Sequence, residues 1–160
     1  MTKRVYIETT VIGDLTMRPS RDLIVAAHQQ ITHEWWDSRG GDYDLCASQL
    51  VIDEAGAGDP AAARERLEVI APMTIVDITP EALALAKDLL NAKALPAKAA
   101  QDALHIAIAA AVGIPYLLTW NCRHMNNATM RPLIESVCKT RGFQAPIICS
   151  PEELLEESDE

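Results

Sequence analysis

The chain has 160 residues, 49% of them hydrophobic and 23% charged. That length suits a single core, and the apolar share excludes a chain disordered throughout. Lys and Arg number 14 against 23 Asp and Glu, a net charge of -9, which excludes a protein that holds nucleic acid by broad phosphate neutralisation. It does not exclude a nuclease: carboxylates clustered to bind a divalent cation make a chain acidic, and the cation supplies the positive charge. No apolar run approaches the ~18 residues of a membrane helix. Met1-Thr2-Lys3-Arg4 leads straight into Val5-Tyr6-Ile7, too short for the apolar core of a signal peptide, so a cytoplasmic protein is expected. Cys46, Cys122, Cys138 and Cys149 lie far apart with no C-x-x-C pair and read as reduced thiols, mostly core filler. One domain over residues 1–150 and an acidic tail over 151–160, mobile beyond Leu155, are expected.

In chain order, residues 4–7 are a short β-rich run, and Glu8-Thr9-Thr10 suits the end of a strand and the opening of a helix or turn. From Ser20 to Arg39 the spacing predicts a helix. Its apolar stripe is Leu23, Ile24, Ala27, Ile31 and Trp35, and Gly40-Gly41 ends it. Tyr43 to Ala47 reads as a second strand, and Ser48 as the cap of a helix through Leu50-Val51-Ile52 to Ala55. Gly56 and Gly58 break that helix, and Asp59-Pro60 starts an Ala-rich one reaching Ile70. Met73 to Ile78 is a third strand, and Thr79-Pro80-Glu81 opens a helix to Asn91. After Leu95-Pro96, a helix with Asp102 near its start runs to Val112 and closes at Gly113. Tyr116 to Thr119 is a fourth strand, Asn126 to Arg141 a helix with an early Pro132, and Pro146 to Cys149 a fifth, edge strand. Strand and helix alternate, and the strands are apolar without polar alternation, as in a sheet covered on both faces. The predicted class is α/β: a three-layer α/β/α sandwich on a mainly parallel sheet of about five strands.

Open α/β sheets bind ligands beyond the carboxyl ends of their strands, where strand order reverses. Glu8 follows the first strand; Ser48, Asp53 and Glu54 follow the second; Asn121 and His124 follow the fourth; and Asp102 opens the helix that feeds the fourth. Brought together, Glu8, Glu54 and Asp102 form a carboxylate cluster with Thr9, Thr10, Ser48 and Asn121 as neutral donors. Such a cluster requires positive charge among its members, and Mg²⁺ or Mn²⁺ prefers carboxylates and waters. Each acid also has a plainer reading: Glu8 as a charge at a helix start, Glu54 on a solvated face, Asp102 as a cap. His105, one turn after Asp102, either orients the site or is a satisfied core histidine. Trp120 lies beside the proposed site and is the aromatic nominated for substrate. Trp35 reads as core and Trp36 as a dimer contact. Arg18, Arg21, Lys98 and Arg123 are candidates to meet phosphate. Finger-like zinc spacing and a Gly-rich phosphate loop are both missing.

Four stretches resemble, in order, the motifs of PIN-domain proteins. They are Val5-Tyr6-Ile7-Glu8-Thr9-Thr10-Val11-Ile12, Ser48-Gln49-Leu50-Val51-Ile52-Asp53-Glu54, Asp102-Ala103-Leu104-His105-Ile106-Ala107 and Leu117-Leu118-Thr119-Trp120-Asn121-Cys122-Arg123-His124. The match runs over residues 4 to 150, and in size the chain is most similar to VapC-type toxins of toxin–antitoxin pairs. The resemblance implies a single PIN-like domain that hydrolyses RNA phosphodiester bonds with Mg²⁺ or Mn²⁺, forms a homodimer and is inhibited by a small antitoxin. Carried onto this chain, it implies Glu8, Glu54 and Asp102 as metal ligands, with Asn121 and His124 completing the catalytic set. Thr9, Ser48, Trp120 and Arg123 would meet substrate. Glu8 stands where the family generally has Asp, and Asn121 or His124 stands at the fourth acidic position, so one metal is expected rather than two. The alternative is a non-cleaving PIN-like module that binds RNA or a protein partner.

Overall fold

A computed structural model describes residues 2–155. Five parallel strands, β1 (Lys3–Ile7), β2 (Tyr43–Ser48), β3 (Thr74–Val76), β4 (Tyr116–Leu118) and β5 (Ile147–Cys149), form one sheet in the order β3-β2-β1-β4-β5. The order follows from burial. Val5, Tyr6 and Ile7 of β1 are fully buried, as a central strand covered on both faces requires, whereas Ile75 on β3 and Ile147 on β5 are exposed at the two edges. From β1 the chain steps outward to β2 and β3, crosses back to β4 on the other side of β1, and ends at β5.

Among the described residues, seven α-helices join the strands: α1 (Thr9–Thr16), α2 (Leu23–Ser38), α3 (Gln49–Ala55), α4 (Pro60–Ile70), α5 (Pro80–Asn91), α6 (Ala100–Ala111) and α7 (Arg131–Thr140). Helix α1 packs on α2, α3 and α4, and α5 packs on α6 and α7. Outward and returning crossovers of one hand place these two sets on opposite faces, which makes the three-layer α/β/α sandwich. Starts follow local chemistry: Ser48, Asp59 and Thr79 accept hydrogen bonds from the first turns of α3, α4 and α5, and Pro60 and Pro80 sit at the first turn. Gly113, at φ +74°, ends α6 in the conformation glycine adopts freely.

Several expectations are corrected. Helix α2 starts at Leu23 rather than Ser20, because Asp22 accepts from the amides of Ile24 and Val25. Of its stripe, Leu23, Ile24 and Ala27 are exposed and Trp35 is buried. Leu23 and Ile24 are 86% and 69% exposed, and the buried side chains are Gln29, Thr32 and Trp35. What lies opposite explains the polar face. The Gln29 carboxamide accepts from the Ser20 amide and donates to the Arg18 carbonyl, and Thr32 accepts from the Trp120 indole. The third strand is limited to Thr74–Val76. Residues 126–130 are not helical, because the Asn127 side chain accepts from the amide and hydroxyl of Thr129 and holds a turn before Pro132.

Trp35 is fully buried, as the sequence indicated. Cys46, Cys138 and Cys149 are buried free thiols, and burial pushes them up to about 11, 11 and 12, which suits core filler. Cys122 is exposed. Of the acidic tail, Leu154 and Leu155 pack against the core, and residues 156–160 lie outside the described residues. Among the described residues, no helix is long and apolar enough to cross a membrane.

Candidate metal centre

Strand order reverses at β1, and Glu8 leaves β1 at that point with its amide donating to the Leu118 carbonyl at 3.0 Å. Glu8 caps α1: its Oε2 accepts from the Thr10 amide at 3.1 Å. Its Oε1 accepts from two hydroxyls, Thr10 at 2.5 Å and Thr119 at 2.6 Å. The residue is 4% exposed. The helix-start reading of Glu8 is therefore correct, and the same carboxylate is also clamped between the ends of β1 and β4.

Glu54 sits in the last turn of α3 and reaches the same crevice. Its Oε1 accepts from Thr9 Oγ1 at 2.6 Å and from His105 Nε2 at 2.7 Å. Burial alone would raise its carboxyl, but the hydrogen bond from His105, the charge of that ring when it is protonated, and the Thr9 hydroxyl together hold it below the usual carboxylate value. This is not a solvated helix face. Behind it lies a buried polar chain: His105 Nδ1 is 2.7 Å from the Tyr6 hydroxyl, which is 2.8 Å from Ser48 Oγ. Burial drives the Tyr6 phenol far above its ordinary value, so it stays protonated.

Ligand atoms of Glu8, Glu54 and His105 all lie within 4.8 Å of one another, the group of this kind among the described residues. A cation between them would offset the repulsion of two carboxylates this close. Among the described residues no group donates to Glu54 Oε2, and one amide donates to Glu8 Oε2. The crevice thus presents carboxylate oxygen with unfilled acceptor capacity, the donor chemistry of a hard divalent cation.

Asp102 is not in that group. It sits in the first turn of α6, one turn before His105, and its Oδ2 is 3.2 Å from His124 Nδ1. Both side chains are partly exposed, 23% and 17%. Asn121 shapes the loop: its Oδ1 accepts from the His124 amide at 3.0 Å, and its own amide donates to Thr119 Oγ1 at 2.9 Å. Its carboxamide oxygen is therefore committed to turning the chain so that His124 faces Asp102.

Of the residues expected at substrate, Thr9 is bonded to Glu54, and Ser48 is fully buried against Tyr6, so Ser48 supports the site from behind. Trp120 does border the site. Its amide donates to Thr10 Oγ1 at 3.0 Å, its indole to Thr32 Oγ1 at 2.7 Å, and its ring stacks on His28 at 3.9 Å and 9°. Arg18, Arg21, Lys98 and Arg123 are exposed.

Sequence reasoning missed Tyr6, Thr119, His28 and Thr32 as parts of this region. Two signals were present. A tyrosine inside a central strand must find a partner for its hydroxyl. His28, Gln29 and Thr32 also recur at helical spacing and mark a polar face on α2.

The fold with its acidic crevice at the switch point is PIN-like. No protein-family model and no curated protein matches this sequence. Among solved structures the chain is similar to one in the crystal structure of VapBC2 from Rickettsia felis bound to a DNA fragment from their promoter. The TM-score is 0.58, and the match covers 92% of this chain and 98% of that chain at 13% identity. At that identity the likeness is one of fold.

Proposed function

We propose that the protein is a metal-dependent endoribonuclease of PIN type, the toxin of a toxin–antitoxin pair, acting in the cytoplasm as a homodimer. The observation that carries the reading is the convergence of Glu8 and Glu54 at the switch point, each fixed by hydroxyl or imidazole donors. Glu8 and Glu54 would hold one Mg²⁺ or Mn²⁺ from the β1 and α3 sides, with Asp102 completing the ligands from α6. When bound, such a cation lowers the pKa of a coordinated water and neutralises charge on the phosphate. Thr9, Thr10 and Thr119 keep the two glutamates from rotating, which preorganises the site. The Asp102 carboxylate only accepts, so His124 Nδ1 carries the hydrogen between them, and in the imidazolium form Nε2 would donate to a phosphate oxygen or a leaving group. Trp120, locked by Thr10 and Thr32, borders the path of a base next to the scissile bond. Arg123 would meet a flanking phosphate. The similarity to a VapBC2 chain supports a small antitoxin as the partner.

Calorimetric titration of Mg²⁺ and Mn²⁺ into wild type and Asp102→Asn, with the same samples assayed on a mixed RNA pool, tests the reading. Cleavage by wild type and little by the variant is expected. Full cleavage by Asp102→Asn would sink the mechanism.

A second reading has its own support. Asp102 pairs with His124 rather than joining Glu8 and Glu54, and Asn121 is committed to its loop. A non-cleaving module that binds RNA or a protein partner follows if RNA is bound without divalent cation and never cut.

A further inference from the structure

The buried chain behind Glu54 has a direction. A carboxylate only accepts, so the hydrogen between His105 and Glu54 belongs to Nε2. A neutral imidazole carries one hydrogen, which leaves Nδ1 as the acceptor of the Tyr6 hydroxyl. The Ser48 hydroxyl then donates to the Tyr6 oxygen and accepts from the Val51 amide at 3.5 Å. Every hydrogen along Val51, Ser48, Tyr6, His105 and Glu54 has an acceptor in this sense. In the reverse sense the Ser48 hydrogen, fully buried, would have none among its contacts in the described residues. The chain also closes a loop. Ser48 caps α3 and Glu54 ends it, with β1 and α6 contributing the two links between them.

We propose that His105, held as its Nε2–H form by Tyr6 and Ser48, is a positioning residue that fixes Glu54 and is not itself a ligand of the cation. The inference rests on the metal-dependent reading above and deepens it by setting metal preference. With an open imidazole lone pair, the Glu8, Glu54 and His105 group would be a nitrogen-and-oxygen site suited to Zn²⁺ or Co²⁺. With Nε2 carrying hydrogen, the group offers a cation oxygen alone, which suits Mg²⁺ and Mn²⁺. Tyr6 and Ser48, neither of which reaches the crevice, would thereby decide which metal the site takes.

The test uses the full chain with ¹⁵N-labelled histidine in mildly alkaline solution, the His105 signals being assigned by their loss in His105→Gln. In the metal-free wild type, His105 is expected to show a protonated Nε2 and a bare Nδ1, and to keep that pattern when Mg²⁺ is added. Tyr6→Phe removes the hydrogen donated to Nδ1, so the tautomers should mix and Zn²⁺ affinity should rise about 10-fold relative to Mg²⁺, the scale of changes behind a metal site. His105→Gln, which keeps an N–H toward Glu54, should retain Mg²⁺ binding that His105→Leu weakens. A wild-type hydrogen on Nδ1, or loss of the Nε2 hydrogen when Mg²⁺ binds, would overturn the proposal, and the wild-type spectra decide this even if Tyr6→Phe does not fold. An intact Nε2–H pattern with no Mg²⁺ response anywhere would uphold the positioning of Glu54 and defeat the metal-dependent function instead.

Discussion

The two sides of the crevice hold their acids in different ways. On the β1 and α3 side, Glu8 and Glu54 together take five hydrogen bonds, from Thr9, Thr10, Thr119 and His105, and the imidazole behind them is itself fixed by Tyr6 and Ser48. On the β4 and α6 side, Asp102 has one 3.2 Å contact with His124, and both side chains are partly open to solvent. One half is preorganised and resists rearrangement. The other can change partner when a cation or a phosphate arrives. A site split in this way would keep its cation position constant while its exposed half adapts to substrate.

The largest effect should come from the rigid half. Glu54→Gln removes the charge on which Thr9 and His105 converge, and metal affinity should fall more than ~100-fold, beyond the usual cost of losing a residue behind a metal site. Calorimetry with Mn²⁺ reads this directly. Asp102→Asn should abolish most RNA cleavage but cost less than Glu54→Gln in affinity, because Asp102 lies outside the tight group. Equal affinity losses in the two variants would erase the distinction between the halves.

Acid should sharpen the contrast. The Glu54 carboxyl is lower in the folded chain than in the unfolded one, where a value of about 4.3 is ordinary. Its contribution to stability is full above that unfolded value and is lost as pH falls through the lower folded value. Wild type should therefore lose more stability than Glu54→Gln over that acid range, as followed by urea denaturation at stepped pH. Parallel curves would show that His105 and Thr9 do not hold the ionised form.

Much of this was legible in the sequence. The sheet was readable because its strands are short apolar runs between capped helices, so Ser48, Asp59-Pro60 and Thr79-Pro80 mark real starts. The convergence of Glu8 and Glu54 is readable because each follows a strand that the topology brings to the switch point. The partnership of Asp102 with His124 was not legible, since it depends on how Asn121 turns a loop that periodicity does not describe. Tyr6 was hidden for a related reason: inside an apolar strand it reads as core, and only the third dimension brings Ser48 and His105 to its hydroxyl. The first half of α2 departs from its apolar stripe because the buried face there is polar. Here His28 and Thr32 meet Trp120, and Gln29 bonds to the segment that leads into the helix.

That inversion on α2 sets the two smallest predictions against each other. Thr32→Val leaves the Trp120 indole without the acceptor it has at 2.7 Å in a partly buried setting, which should cost about 1–3 kcal/mol. Leu23→Ser removes a far more apolar side chain, yet Leu23 is 86% exposed, so the dilute protein should change by no more than about 0.5 kcal/mol. Judged by hydrophobicity alone, the order would be reversed. Urea midpoints of the two variants at low protein concentration decide between them. A Leu23→Ser cost above that of Thr32→Val would mean that the start of α2 is covered in solution, and would restore the apolar stripe as a buried surface.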